Sequence, residues 1–127
     1  MKNADSDKFA ISVCTVDGQT FNFGDFTDSF SVQSIGKTFA YTLALIERGH
    51  ELVHSHVGQE PSGKAFNDFT LTKKGLPYNP VTNAGSIITC SLLSPHETDI
   101  EKKLQAIKDL LGRMSGNIYV VEDMMDV

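Results

Sequence analysis

Ile100, Leu104, Ile107, Leu111 and Met114 follow one another at intervals of 4, 3, 4 and 3. That spacing puts all five on one face of an α-helix and admits no strand, whose faces repeat every second residue. Just before it, Ser94-Pro95-His96-Glu97 has the spacing of a capping box with proline at the first helical position. A helix is therefore expected over 97–114, with Glu101, Lys102, Lys103 and Lys108 on its solvated face.

The N-terminal third carries the other periodicity. Residues 1–7 read as a flexible lead-in, and "KFAISVCTVDGQTFNFGD" as two strands. Phe21 and Phe23 alternate with Thr20 and Asn22, the pattern of a half-buried strand. Asp17-Gly18 between the strands is the preferred pair for a two-residue type I′ turn. A helix is expected from Ser34 to Arg48, with Ile35, Phe39, Leu43 and Ile46 as its buried stripe and Gly49 just past its end. "HELVHSHV" has room for about two more turns before Gly58. The next segment, "GQEPSGKAFNDFTLTKKGLPYNPVTN", is rich in Gly, Pro and Asn and follows neither period. Long irregular segments inside compact domains are usually functional or disordered. Ala84–Leu93 reads as a short buried helix, and "NIYVVEDMMDV" begins like a further element.

A chain of 127 residues is expected to form one domain, here over 8–127, with enough buried surface for one core. Its net charge of −5 argues against nucleic acid or an anionic membrane as partner. "MKNADSDKFA" has no apolar stretch of the signal-peptide kind, and no window approaches a transmembrane length. Cys14 and Cys90 have apolar neighbours and are expected to be reduced core thiols of a cytoplasmic protein.

Two short motifs bear on chemistry. His50-Glu51-Leu52-Val53-His54 fits H-E-x-x-H, in which two histidines on one helical face bind zinc. A working site also needs a third ligand and an open position for water. Val57 stands where the extended motif has glycine, Glu60 where it has its third histidine, and Gly49 leaves His50 in a first helical turn. The simpler reading is a polar helix that buries Leu52, Val53 and Val57, with no metal. The second motif is S-x-x-K, Ser34-Ile35-Gly36-Lys37. Composition alone supplies about one such pair, so spacing by itself proves nothing. Position gives it interest: a serine at the start of a helix has a lysine one turn later on the same face. A serine hydroxyl needs a base, and a lysine serves as one only where burial disfavours its charged form. Exposed N–H groups at the helix start would stabilise an oxyanion. Equally, Ser34 could be a helix cap and Lys37 a surface lysine.

"FSVQSIGKTFAYTLALIERG", then "VGQEPSGKAFND", then "GLPYNPVTNAGSI" decide between the two. In this order and spacing they resemble the three blocks of the serine-dependent glutaminase family, and the opening hairpin resembles its first strand pair. The resemblance covers nearly the whole chain from about residue 8. It implies an α+β fold of the β-lactamase and penicillin-binding-protein kind, an antiparallel sheet flanked by helices. It also implies hydrolysis of L-glutamine to L-glutamate and ammonia, with no metal or other cofactor. Ser34 would be the nucleophile, in contact with substrate, and Lys37 the general base. Asn83 would bind the substrate, with Gln33 lining the same region; from the residues alone Asn83 could instead cap the helix that follows. A homo-oligomer is expected.

There are departures. Gly36 stands where the family has serine, which costs a helix about 1 kcal/mol relative to alanine. Asp68 replaces the serine of F-N-S, and Thr82 the usual isoleucine. Family members are also longer, and supply from segments without counterpart here a glutamate, an asparagine, three tyrosines and a valine amide of the oxyanion hole. The chain is therefore expected to be a partial domain, inactive or weak by itself. Two other readings stand behind this one: a different S-x-x-K acyl-enzyme, disfavoured because S-D-N and K-T-G segments are absent, and a non-catalytic module that pairs through an open sheet edge.

Overall fold

The computed structural model of the chain describes residues 5–65 and 67–116. The element expected from residue 117 on, and the first four residues of the lead-in, lie outside the described residues. The chain divides into two compact units, Met1–Ser31 and Val32–Val127.

The first unit is an antiparallel hairpin of β1 (Ala10–Cys14) and β2 (Thr20–Gly24). Ile11 pairs with Phe23 and Val13 with Phe21, so the large apolar side chains share one face. Every strand residue is nevertheless exposed, Phe21 at 61%. The expected two-residue turn is not what forms. Thr15 N–H donates to Gln19 O at 2.9 Å and Gly18 N–H to Thr15 O at 2.9 Å, enclosing a three-residue loop in which Gly18 alone is left-handed, at φ 86°. A type I′ turn would need positive φ at Asp17 as well. Asp17 stays on the negative side, its carboxylate accepting from Gln19 Nε2 at 2.6 Å and from Thr15 Oγ1. These bonds hold the Asp17 carboxyl below its ordinary range. At the open end, Phe9 and Asp25 exchange two hydrogen bonds and Lys8 pairs with Asp28.

The second unit is helical: a 3-10 turn (Gln33–Ile35), α1 (Gly36–Arg48), α2 (His50–His56), α3 (Asn83–Ser91) and α4 (Ile100–Met114). Gly49, at φ 76°, separates α1 from α2. Its core is Ala40 and Ala44 of α1, Val53 of α2, Val57 and Leu93, with Tyr41, Leu43, Leu45, Leu92 and Ile107 packed around them. α1 touches each of the other three helices.

The helices stand where periodicity put them, but several faces and caps differ. α1 buries its alanines, whereas Ile35 and Ile46 are exposed, Ile46 at 64%. Small side chains let neighbouring helices approach closely, and that outweighs the size of the isoleucines. On α4 the buried residue is Leu110, with Ile107 against the core, while Ile100, Leu104 and Met114 are exposed. Its cap is Asp99, whose carboxylate accepts from Glu101 N–H at 3.0 Å, and not Ser94. Ser94 lies in the preceding turn at φ 42°. Leu52 is also more exposed than expected of a core residue. Neither cysteine is a core thiol: both are free and exposed as residues. Partial burial of the Cys90 sulfur pushes that thiol up, against a hydrogen bond with Ser86. No helix among the described residues is long and apolar enough to cross a membrane.

Candidate active site

Ser34 lies exposed in the middle of the 3-10 turn, with Gln33 exposed beside it. Gln33 has φ 39°, a conformation that side-chain-bearing residues rarely adopt and that recurs at functional sites. Lys37 follows in the first turn of α1 and is half-buried. Its Nζ donates to Asn83 Oδ1 at 2.6 Å and to Val81 O at 3.2 Å, contacts that span 46 and 44 residues of sequence. The structure therefore joins Lys37 and Asn83 directly, with Ser34 one turn ahead of Lys37.

Asn83 is free for this because it is not the cap of α3. That position is Thr82, whose Oγ1 accepts from Gly85 N–H at 3.2 Å and donates to Asn79 O at 2.9 Å. Asn83 begins the helix itself, and with Oδ1 engaged by Lys37 its amide nitrogen still offers two donors.

The loop that delivers Val81 and Asn83 is tightly built. Gly58 N–H donates to Pro77 O at 2.8 Å, and Glu60 N–H to Tyr78 O at 3.0 Å. Asn79 Nδ2 donates to Glu60 O at 2.9 Å. At two places backbone meets backbone with no room for a side chain. A Cβ on Gly58 would lie 2.6 Å from Tyr78 O, and one on Gly85 only 1.8 Å from Asn79 O. Neither Val81 nor Asn79 stood out in the sequence. The available signal was Asn79-Pro80 ahead of a threonine cap, a local turn pattern that says nothing about a distant lysine.

The H-E-x-x-H residues have other partners. His54 Nδ1 lies 3.0 Å from Val57 O, and a carbonyl only accepts, so Nδ1 carries the hydrogen. Nε2 then accepts from the Tyr41 hydroxyl at 2.9 Å. Both ring nitrogens are thus committed, and the His50 ring lies against His54 with centroids 4.4 Å apart. The Tyr41–His54 contact joins α1 to α2. Among the described residues no group of three or more His, Cys, Asp or Glu is placed to hold a metal ion.

Chemically, the site offers an exposed hydroxyl at a helix start and a lysine whose nitrogen faces two fixed acceptors.

The model of the Glutaminase family matches residues 1–127. A glutaminase of Corynebacterium efficiens is 40% identical over 117 residues, which cover 91% of this chain and 28% of that protein. Among solved structures, the probable glutaminase ybaS superposes with a TM-score of 0.85 at 29% identity, over 95% of this chain and 39% of its own. Mglu, solved in its glutamate form, gives 0.80 at 34% identity, over 90% and 26%. The chain thus spans less than two fifths of the length of each.

Proposed function

This chain belongs to the glutaminase family and has the β-lactamase-like α+β fold of the solved members it matches, and on that premise we propose that it carries the nucleophile half of a site hydrolysing L-glutamine to L-glutamate and ammonia. The observation that carries the reading is the bond from Lys37 Nζ to Asn83 Oδ1, one helical turn from Ser34.

In this mechanism Ser34 Oγ attacks the side-chain amide carbon of glutamine while its proton passes to Lys37 Nζ. The C–N bond then breaks, the leaving nitrogen takes that proton, and ammonia departs from a glutamyl ester on Ser34. Water attacks the ester, again giving a proton to Lys37. The C–O bond to Ser34 breaks, Ser34 recovers the proton, and glutamate leaves. Asn83 binds substrate through its amide N–H, in keeping with the Lys37 bond to its oxygen. Gln33 lines the same pocket from its strained position beside Ser34. No metal or cofactor enters any step. Residues 8–127 are read as part of one glutaminase domain, since the ybaS match covers 95% of the chain. Free Cys14 and Cys90 are in keeping with a cytoplasmic setting, and the exposed apolar side chains with a homo-oligomer.

The test is covalent capture. An electrophilic glutamine analogue is expected to add one label, at Ser34 by mass spectrometry, and to add none in Ser34→Ala. Chelators and His54→Ala should leave labelling within about twofold, since neither touches the reacting groups. Chelator-sensitive ammonia release that survives Ser34→Ala would replace this reading with metal hydrolysis.

A further inference from the structure

Lys37 reaches Val81 O because something turns that carbonyl toward it, and the residue that does so is Asn79. Asn79 Oδ1 accepts from two successive backbone groups, Val81 N–H at 3.1 Å and Thr82 N–H at 3.1 Å. The second bond matters most. Val81 C=O and Thr82 N–H belong to one planar trans peptide unit and point in opposite directions. Fixing the N–H on Asn79 fixes the carbonyl on the other side, where Lys37 Nζ meets it at 3.2 Å. The next residue is Asn83, so the same anchor sets the start of α3 and the Oδ1 that takes the second bond from Lys37.

Asn79 is itself held at every polar atom beyond its N–H. Nδ2 donates to Glu60 O, and its carbonyl accepts from Thr82 Oγ1. That carbonyl also lies against Gly85, where no Cβ fits. The side chain makes three hydrogen bonds in this one conformation, and the backbone carbonyl a fourth.

We propose that Asn79 is a positioning residue for the lysine of the nucleophile pair: its side-chain oxygen, acting through the 81–82 peptide, aims the carbonyl that orients Lys37 Nζ. This rests on the proposed role of Lys37, and the experiment separates the two.

The uniformly labelled 127-residue chain is studied by NMR in three forms: unaltered, Asn79→Ala and Asn79→Asp. Asp keeps the accepting oxygen but adds a charge and turns the donor to Glu60 O into a second acceptor, so its effect should be intermediate. In the unaltered chain, couplings through the hydrogen bonds should link the Val81 and Thr82 amides to Asn79 Cγ; their absence overturns the proposal whether or not any variant folds. In Asn79→Ala the Lys37 Cε–Hε signal should move, and the rate of Ser34 capture should fall about ten- to a hundredfold, the loss expected of a misplaced catalytic group. Asn79→Asp should restore part of the signal and part of the rate. A Lys37 signal unmoved in folded Asn79→Ala overturns the proposal. If the unaltered chain captures no label at Ser34, the nucleophile reading fails, while the Lys37 signal still decides whether Asn79 positions it.

Discussion

The hairpin of Met1–Ser31 and the helical unit of Val32–Val127 are held by different forces. In the hairpin the backbone is paired, the turn is closed by Thr15, Asp17 and Gln19, and yet every strand residue remains exposed. In the helical unit Ala40, Ala44, Val53, Val57 and Leu93 are almost fully buried. Local hydrogen bonding suffices to define a shape, but a two-stranded sheet held that way is marginal in water. Burial is what carries energy, and the candidate site lies wholly in the unit that has it. Even there the support is uneven: Lys37 is half-buried and doubly bonded, whereas Ser34 and Gln33 are exposed.

The largest expected effect exploits that unevenness. Ammonia release from glutamine by these 127 residues should be at least about 10²–10³-fold slower than by a full-length relative such as the Corynebacterium efficiens protein. These residues cover 28% of that protein; an oxyanion donor supplied by the remainder would account for that much, and substrate orientation would add to it. A coupled ammonia assay, with Ser34→Ala as control, measures it. Robust Ser34-dependent turnover would mean that a second chain covers the exposed half of the site.

Next comes a matched pair of truncations followed by urea unfolding. Leu93→Ala should destabilise the helical unit by about 2–5 kcal/mol, the usual cost of emptying a core leucine site. Val13→Ala should change the unfolding of that unit by less than about 0.5 kcal/mol, as for surface positions generally. Equal losses would erase the distinction between the two regions.

Acid should separate them more gently. The Asp17 carboxyl is held down by Thr15 and Gln19, so its stabilisation of the turn is present above the unfolded value of about 3.9 and is lost as pH falls through the lower folded value. The Gln19 and Gly18 amide signals should shift toward unstructured positions below about pH 4. In Asp17→Asn that acid transition should be absent.

The smallest effect is a gain. A Cβ on Gly36 would meet only Val32 Cγ1, at 3.6 Å, and the residue has helical φ of −57°. Gly36→Ala should therefore stabilise α1 by about 0.5–1 kcal/mol in thermal melts.

Which of these features could be read from the chain follows from the range of the interactions. Strand pairing, the helix after Gln33, the break at Gly49 and the helix near Ala84 depend on local period and punctuation, and all were legible. The direction in which each helix faces was not. Ile35 and Ile46 look like a core stripe until the partner helices select Ala40 and Ala44 instead. Caps failed by small steps, because adjacent residues can serve and geometry selects one: Thr82 over Asn83, Asp99 over Ser94. Lys37 and Asn83 were named singly as site residues through a family resemblance, and their bond emerged only when residues 46 apart met. Val81 escaped notice altogether because its contribution is a backbone carbonyl, which every residue has.

The two glycines at 85 and 112 show how differently one letter can weigh in this sequence. In a library randomised at both positions and selected for folding, position 85 should return glycine almost alone, since even alanine collides with Asn79 O at 1.8 Å. Position 112, with nothing within 4 Å of an added Cβ, should accept most residues and drift toward good helix formers. Sequence diversity among folded survivors would then map the contact between loop and helix without a structure, and its sharpest minimum would fall on the segment that presents Asn83 to Lys37.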